Sequence, residues 1–397
     1  MLKPPLRLEG ASIMRHLSVP SAQTQHWLER CRSEKWLAEH TGVTSLTGGN
    51  KAIPLNQTAP PEGDAAWAGN ALVDLAAKEK TPSHWTEHLD PSLLKSHKGD
   101  LPKAYETQGD VLIVKIEENV WHLAEMIADA MLTQLPSIRL VCADLGVQGD
   151  FRVRNLEPLA SRDGSTETVT RIKENGYFLW VDASKVYFSA RLSNERTATL
   201  ESAKKLKQRL ARPLIVADPY AGVGPSMGAL LSEPDLIEGY HAGDLNPDAV
   251  ALLQTNLTYL GNRRKTEVGE PAPALTPSTV ICADATQWKT NPHLCNSSDL
   301  LLVNLPHDSV EHLPHLLPLL RRGQTSLLRG WAIIERANEA SEKKKIAVAI
   351  LEAGGTIESL EFEEVKGFSA SKSFMCFEAW VVLAVESLSS SISTDCL

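Results

Sequence analysis

A chain of 397 residues is too long for one ordinary hydrophobic core, so we expect two or three domains. Its 43% hydrophobic and 22% charged residues are typical of a soluble globular protein, and no run of about 18 apolar residues predicts a membrane span. The first residues lack the apolar segment of a secretory signal, and the six cysteines are scattered without a Cys-x-x-Cys pair, which argues against zinc and disulfides and favours a reducing, cytoplasmic setting. The net charge of −9 does not indicate a nucleic-acid binder, but RNA stays possible because phosphate binding needs only a local basic stripe.

The N-terminal part predicts a small α/β domain over residues 1–60. Residues 16–20 have the pattern of a strand, and residues 22–38 have the apolar spacing of a helix. Residues 51–55 would close the sheet as an edge strand, because their proline cannot donate a ladder hydrogen bond. Residues 61–104 hold several prolines and scattered polar residues, which predicts a linker with one short helix.

The sequence predicts an α+β domain over residues 105–200 and a larger α/β domain over residues 201–385. The first contains an apolar strand from Gly109, a helix over about 118–133 and further strand patterns up to residue 182. In the second, strands alternate with helices, which indicates a parallel sheet with crossover helices. Residues 386–397 are rich in serine and predict a disordered tail.

Small and acidic residues follow the first strands of the alternating region. Asp218 ends the first strand, and Gly222 and Gly224 come after it, where missing side chains let the backbone approach a ligand. Asp244, after the second strand, suits two ribose hydroxyls, and Asp284, after the third, suits an exocyclic amine. The alternative is that these carboxylates only cap strand ends. A phosphate-binding loop is excluded, because neither G-x-G-x-x-G nor G-K-[ST] occurs.

The tripeptide Asn304-Leu-Pro306 follows the fourth strand. Methyltransferases that act on amines and ring nitrogens use Asn and Pro at this place, since the amide and a backbone carbonyl can hold the polar edge of the target. The same tripeptide is also an ordinary exit from a strand. Three histidines come next and are interpreted as residues on a helix surface: His307, His312 and His315.

Longer motifs continue through residues 105–385. They comprise Gly109-Asp-Val-Leu-Ile113, Gly149-Asp-Phe-Arg-Val-Arg-Asn-Leu-Glu-Pro-Leu-Ala160, Glu174-Asn-Gly176, the segment YFLWVDASKVYFSARLSNER from Tyr177 to Arg196, DPYAGVGP, DLNPDAV, the Asn-Leu-Pro turn and Val365-Lys-Gly-Phe-Ser. In this order they resemble the tRNA (guanine-37-N1) methyltransferases of archaeal and eukaryotic type. Residues 16–56 more loosely resemble the small N-terminal domain of the archaeal members.

The resemblance implies a class I, Rossmann-like methyltransferase domain, preceded by an α+β RNA-binding domain and a small N-terminal domain that contacts tRNA. It implies transfer of a methyl group from S-adenosylmethionine to N1 of guanosine 37, beside the anticodon. It further implies a monomer that acts in the cytoplasm without a metal ion.

The resemblance also implies roles for individual residues. Arg152 would lie on guanine O6, Glu195 would be the general base, and Tyr187 and Asn304 would line the target base. The implied cofactor contacts are Asp218, Tyr220, Gly222, Gly224, Asp244, Leu245, Asn246, Asp284, Asn304 and Arg191. The chemistry agrees, because guanine N1 carries a proton at neutral pH that a base must remove, while a guanidinium would stabilise charge on O6.

Simpler interpretations stay open for three of these residues: Arg152 as an ion-pair partner on a strand, Glu195 as a carboxylate favoured at a helix N-terminus, and Tyr187 as core. Two positions, Ser226 and His307, depart from the family pattern. Three other functions also stay open. They are aminocarboxypropyl transfer from S-adenosylmethionine in wybutosine synthesis, methylation of a wyosine intermediate, and a non-catalytic RNA-binding scaffold.

Overall fold

The protein is described by a computed structural model that covers residues 13–38, 40–78, 80–97, 99–149, 151 and 153–385. The chain forms two compact units, one that ends at Leu94 and one that begins at Lys95. The predicted tail at 386–397 lies outside the described residues. Within the described ranges, no helix combines the length and the apolar character needed to cross a membrane.

The first unit is a four-stranded antiparallel sheet with one main helix. Its elements are β1 (Ile13–Pro20), α1 (Thr24–Ser33), β2 (Thr44–Ser45), β3 (Asn50–Pro54) and β4 (Leu72–Ala76), and the chain then enters α2 (Pro91–His97). The strand order is β2-β3-β1-β4. Trp27 of α1 and Trp67 meet Leu17 and Ile53 in a buried core, which anchors the helix to the sheet.

Two predictions for this unit differ from the structure. β3 is not an edge strand, because β2 pairs with its Lys51 and Ala52. Pro54 is tolerated there because β2 ends before reaching it, so no ladder hydrogen bond is lost on that side. The segment predicted as a linker contains β4, which pairs with residues 13–17 of β1. That pairing is a contact between distant residues, which the polar composition of the segment does not reveal.

The second unit begins with a four-stranded mixed sheet of order β5-β6-β7-β8. Its elements are β5 (Tyr105–Gln108), β6 (Val111–Val114), α3 (Ala124–Gln134), β7 (Leu140–Gln148) and β8 (Val153–Ser161). Only β6 and β7 pair in parallel, and α3 is their crossover helix. This arrangement confirms the predicted α+β character.

A β-hairpin follows, formed by β9 (Val169–Glu174) and β10 (Tyr177–Asp182). Its two-residue turn is Asn175-Gly176, and both residues have positive φ, as the tight turns of hairpins require. Side chains alternate between a buried inner face and an outer face, which is the period of a half-buried strand.

The remaining chain forms a seven-stranded sheet with helices on both faces. Its elements are α4 (Ser193–Leu210), β11 (Leu214–Asp218), α5 (Pro225–Leu231), β12 (Ile237–Asp244), α6 (Pro247–Gly261), β13 (Ser278–Cys282), β14 (Leu300–Val303), α7 (Ser309–Leu316), β15 (Thr325–Glu335), α8 (Glu339–Glu352), β16 (Gly355–Gly367) and β17 (Lys372–Leu383). The order is β13-β12-β11-β14-β15-β17-β16, with β17 antiparallel to both of its neighbours. The predicted Rossmann-like sheet is thereby confirmed, and its strand order reverses between β11 and β14, where such folds bind ligands.

The hairpin and α4 share a core with this sheet rather than with the preceding one. Tyr177 and Leu179 of β10 belong to the same buried cluster as Met227 of α5 and Leu253 of α6. The packing therefore places the hairpin and α4 with the seven-stranded sheet, while Ala183 between them packs in the core of the preceding sheet. The sequence predicted a domain boundary at residue 200, within α4.

A buried ion pair fastens the hairpin to α4. Arg196 donates two hydrogen bonds to Glu174, at 2.6 and 2.5 Å, and both side chains are less than one-tenth exposed. The same guanidinium donates to the carbonyl of Ser189 at 3.2 Å, and the hydroxyl of Tyr177 donates to Glu174 at 2.8 Å. With these bonds, three segments of the chain share one polar centre.

We expect Arg196→Met to lower the free energy of unfolding by about 3–5 kcal/mol, because it leaves the Glu174 carboxylate buried without its counter-charge. Urea denaturation followed by circular dichroism measures the loss. Arg209→Met is the matched control: it breaks an exposed pair with Glu358 and should cost no more than about 1 kcal/mol. Equal losses in the two variants would contradict the structural role of Glu174–Arg196.

Candidate active site

The loop between β11 and α5 lies at the point where the strand order reverses. Gly222 and Gly224 have φ of +56° and +87°, in the left-handed region that favours glycine. A Cβ at Gly224 would also lie 2.7 Å from Cδ1 of Leu253, whereas a Cβ at Gly222 would have only the Tyr187 carbonyl, at 4.0 Å. The first glycine therefore keeps the backbone open toward a ligand, and the second lets the loop pack on α6.

Asp244 organises this loop from the neighbouring strand. Its carboxylate accepts the N–H of Gly222 and the N–H of Asn246, both at 2.9 Å. Asn246 in turn caps α6 by accepting the N–H of Asp248 at 3.0 Å, and it donates to the carbonyl of Lys185 at 2.8 Å. The acid predicted from the sequence thus holds the glycine loop, the start of α6 and the segment after β10 together.

Asp218 is the least satisfied polar group of the loop. Its side chain is buried, and its Oδ1 has no hydrogen-bond partner among the residues that the structure describes. Burial, and next the charge of Asp244, raise the pKa of Asp218 to about 7; burial also raises the pKa of Asp244. The unpartnered acceptor of Asp218 beside an open glycine fits the ammonium group of S-adenosylmethionine, which would donate a hydrogen bond to it.

Asp284 and Leu245 continue the site along the strand ends. Asp284 caps the turn after β13 by accepting the N–H of Thr286 at 2.8 Å, and hydrogen bonds from Thr286 lower its pKa. The capping interpretation is therefore correct for one of its oxygens. Leu245 follows Asp244 with 57% of its surface exposed, which offers an apolar face to a flat ring.

Tyr220 and His312 form a contact that the sequence did not predict. The Tyr220 hydroxyl lies 2.6 Å from Nδ1 of His312, and burial raises its pKa, helped by Asp284. Of the three histidines interpreted as surface residues, His312 is thus part of the site. The ring of His307 instead packs edge-on against Phe368.

Glu195 lies in the first turn of α4, but its carboxylate is bound by the sheet. Its Oε2 accepts a hydrogen bond from Nε1 of Trp331 at 3.0 Å and one from Arg329 at 3.4 Å. Arg329 also bonds to Glu378 and donates to the hydroxyl of Thr199 at 3.1 Å. The carboxylate is therefore oriented by a buried network and does not merely complement a helix N-terminus.

Asn304 lies beside this network at the end of β14. Val303 pairs with Gly330, so Asn304 and Trp331 occupy the next position on adjacent strands. The turn after Asn304 is tied to β15, since the N–H of Ile333 donates to the carbonyl of Pro306 at 2.7 Å. The strand register thus brings Asn304 to the same edge of the sheet as the partner of Glu195.

The structure places the other predicted residues as follows. Tyr187 has its side chain 66% exposed, which rules out the core interpretation, and its carbonyl faces Gly222. Arg191 is exposed, and its charge lowers the pKa of Glu106, although burial and Arg154 affect that carboxyl more. Arg152 lies outside the described residues.

The supporting network of Glu195 was missed in the sequence, although a signal was present. Arg329 interrupts the apolar run of β15, and Glu378 interrupts that of β17. Charges inside buried strands need partners, so these two could have been paired in advance. No arrangement of three or more His, Cys, Asp or Glu side chains suits a metal ion in the described ranges.

Comparison with known families agrees with this geometry. Residues 85–165 match the family model described as the TYW2 N-terminal domain, and residues 170–268 match that of the TRM5/TYW2 methyltransferase domain. The second match includes the hairpin, α4, the glycine loop and Asp244. Its start at residue 170 agrees with the packing of the hairpin on the cofactor domain.

Individual relatives are similar over parts of the chain. The tRNA (guanine(37)-N(1))-methyltransferase Trm5b of Methanocaldococcus jannaschii is 35% identical over 160 residues, which are 40% of this chain and 44% of that protein. The enzyme of the same name from Pyrococcus abyssi is 27% identical over 260 residues, 63% of this chain and 69% of its own. The match thus spans less than half of the first relative.

Structural comparison extends further along the chain. A crystal structure described as wild-type Trm5b from Pyrococcus abyssi superposes with a TM-score of 0.60 over 93% of this chain and 100% of that one. The sequences are 20% identical over this alignment, so the likeness shows a common fold.

We expect the affinity for S-adenosylmethionine to rise with pH until about 7 and then to level off. A cationic ligand binds the ionised form of Asp218. Below the Asp218 pKa of about 7 the carboxyl must first lose its proton, so the affinity should fall by up to about tenfold for each pH unit. Isothermal titration calorimetry between pH 5.5 and 8.5 measures this, and Asp218→Asn should remove the slope. Asp284→Asn is the control and should keep the pH dependence of the affinity. Titration of the cofactor's own amine affects the wild type and the variants equally, so it does not alter the difference between them. A slope unchanged in Asp218→Asn would contradict the assignment.

Proposed function

We propose, from the match of residues 170–268 to the TRM5/TYW2 methyltransferase domain model, that this chain transfers a methyl group from S-adenosylmethionine to N1 of guanosine 37 in tRNA. The observation that carries the proposal is the Glu195 carboxylate. It is held by Trp331 and Arg329 at the strand edge that also bears Asn304 and the glycine loop.

Glu195 is proposed as the general base. Guanine N1 carries a proton at neutral pH and must lose it for the nitrogen to attack a methyl group. The hydrogen bonds from Trp331 and Arg329 hold the carboxylate in one orientation. The N1 proton would pass to Glu195 while the methyl group moves from sulfur to N1, so one N–C bond forms as one S–C bond breaks and the cofactor leaves as a neutral thioether.

The loop residues are proposed to hold the cofactor. When bound, S-adenosylmethionine supplies an electrophilic methyl group on a sulfonium. Asp218 offers an unsatisfied acceptor to its cationic part, and Gly222 leaves room for the approach. Asp244 suits the ribose hydroxyls, since each carboxylate oxygen has a second lone pair beyond its bond to a backbone N–H. Further contacts are proposed for Tyr220, Gly224, Leu245, Asn246, Asp284, Asn304 and Arg191.

The substrate side is proposed to involve Tyr187, Asn304 and Arg152. An exposed tyrosine ring beside the loop can stack on a base that has been turned out of the anticodon loop. Asn304 can bond to the polar edge of guanine from the end of β14. The role of Arg152 at O6 stays a prediction from the family resemblance.

Several finer points also stay predictions. They are the anticodon loop as the bound region, the monomeric state, the cytoplasmic location, and contact between the first unit and tRNA. The relatives named tRNA (guanine(37)-N(1))-methyltransferase support methylation of guanosine over a wyosine intermediate or a scaffold role. The match of residues 85–165 to the TYW2 N-terminal domain does not distinguish methylation from aminocarboxypropyl transfer, which the product analysis below decides. The Glu195 carboxylate, oriented by Trp331 and Arg329, is suited to removing a ring proton. A non-catalytic scaffold would not need such a group.

The direct test uses an unmodified tRNA transcript with guanosine at position 37 and S-adenosylmethionine carrying a labelled methyl group. We expect 1-methylguanosine on nucleoside analysis, and no product from a transcript with adenosine at that position. A second reaction, with label in the aminocarboxypropyl group, detects the rival transfer. An aminocarboxypropyl adduct, or no product from either reaction, would overturn the proposal.

We expect Glu195→Gln to lower kcat by about 10²–10⁴-fold, because the amide cannot accept the N1 proton. The affinity for S-adenosylmethionine should remain, since the glycine loop is untouched. Single-turnover kinetics and calorimetry measure the two quantities. Glu201→Gln, an exposed carboxylate on the same helix, is the matched control and should retain full activity. If Glu195→Gln turned over normally, Glu195 would not be the base.

A further inference from the structure

The outer face of the β9–β10 hairpin carries cations directly opposite aromatic rings. Lys173 pairs across the strands with Phe178, and Arg171 pairs with Trp180. The Arg171 guanidinium lies 4.4 Å from the centre of the Phe178 ring and 5.9 Å from that of Trp180, while Lys173 lies 5.9 Å from Phe178. Each cation thus rests on a ring and still presents polar hydrogens to the surroundings.

The same pattern continues onto α6. The Trp180 ring meets Tyr259 edge to face at 5.0 Å, and Arg263 lies 5.3 Å from the Tyr259 ring. The contacts therefore form one unbroken series of cations and rings. We call it the cation–aromatic stripe: Lys173, Phe178, Arg171, Trp180, Tyr259 and Arg263.

The cations of the stripe differ from three basic residues of α4. Lys204, Lys207 and Arg209 each lie within 3.2 Å of a glutamate oxygen, which neutralises them. The ion pairs of the described part of the chain include none from Arg171, Lys173 or Arg263, and all three are exposed. The stripe is therefore a positive surface on a protein whose net charge is −9.

The stripe is joined rigidly to the proposed active site. Asn256, which is fully buried, accepts the N–H of Trp180 at 2.8 Å and donates to its carbonyl at 3.0 Å. The same amide donates to the carbonyl of Val223 in the glycine loop at 2.9 Å. β10 also leads directly into the segment that carries Tyr187. The side chain of Asn256 thus links the stripe directly to the glycine loop and fixes the position of one relative to the other.

We infer that the cation–aromatic stripe binds the RNA strand that continues from the target nucleotide, an inference that rests on the proposed function. The cations would contact phosphates, and the partly exposed rings of Phe178 and Trp180 would pack against ribose or bases. Arginine on an aromatic ring suits this partner, because the stacked guanidinium still directs its N–H groups at a phosphate. A cationic surface interleaved with rings fits a polyanion that also has flat bases.

The test replaces the three cations by glutamine, in Arg171→Gln/Lys173→Gln/Arg263→Gln. The control, Lys205→Gln/Lys343→Gln/Lys344→Gln, removes the same charge from exposed lysines elsewhere. Filter binding of the tRNA transcript over a range of salt concentrations measures affinity. Single-turnover methylation at saturating RNA measures kcat.

We expect the stripe variant to bind tRNA at least about tenfold more weakly, and its slope of log affinity against log salt to fall by about two, since each phosphate contact contributes about 0.7–0.9. Its kcat at saturating RNA and its affinity for S-adenosylmethionine should match the wild type. The single variant Phe178→Leu keeps all three cations. We expect it to bind tRNA several-fold more weakly than the wild type, because the ring can no longer stack on RNA.

If the stripe variant bound tRNA as tightly as the control variant, the inference that the stripe binds RNA would be wrong, whether or not the wild type methylates tRNA. The stripe would then be a candidate surface for a protein partner. Absence of 1-methylguanosine with wild-type protein that binds tRNA would instead overturn the proposed function. The binding and the product measurements therefore separate the two failures.

Discussion

The buried ion pair between Glu174 and Arg196 is the constraint on which the proposed catalytic geometry depends. Removing two charges from water is costly, and the cost is offset here by a bidentate geometry and by bonds from Tyr177 and to Ser189. The Tyr177 hydroxyl also reaches the carbonyl of Pro225, at 3.3 Å, at the start of α5. One polar centre therefore sets the position of the hairpin, of the segment that carries Tyr187 and of the helix turn that carries Glu195.

Buried polar groups in this protein are of two kinds: some make their hydrogen bonds within the protein and orient other side chains, and others keep an acceptor for a ligand. The Arg329–Glu378 pair, with Thr199 and Trp331 around it, has its hydrogen bonds within the protein and serves to orient Glu195. Asp218 is equally buried but keeps an acceptor without a partner. A protein tolerates such a group where a ligand completes it, because an orphaned buried acceptor lowers stability. The same contrast distinguishes the cation–aromatic stripe from the neutralised lysines of α4, and it allows a chain of negative net charge to present a local surface for RNA.

The proposed reaction draws its residues from two kinds of structure. The glycine loop and Asp244 lie at the strand ends of the Rossmann-like sheet, where the reversal of strand order opens a crevice. Glu195 and Tyr187 come from the segment that precedes the first strand of the sheet, and the hairpin and helix of that segment pack against one face of the sheet. The substrate would therefore meet a base that belongs to the hairpin and its helix, and a cofactor site that belongs to the sheet.

Much of the fold and the cofactor site could be predicted from the sequence, because these features are local. The alternation of strands and helices, the left-handed glycines of the loop and the acid after β12 each depend on neighbouring residues. The central position of β3, the pairing of β4 and the docking of the hairpin depend on residues far apart in the chain. So do the bond between Tyr220 and His312 and the orientation of Glu195 by Trp331 and Arg329. By itself the sequence determined which strands end in a cofactor loop, since short-range periodicity and steric demands decide that. Only the tertiary structure decided which buried charges hold the proposed base and which exposed cations remain available to RNA, because both depend on which partners the fold brings within a few ångströms.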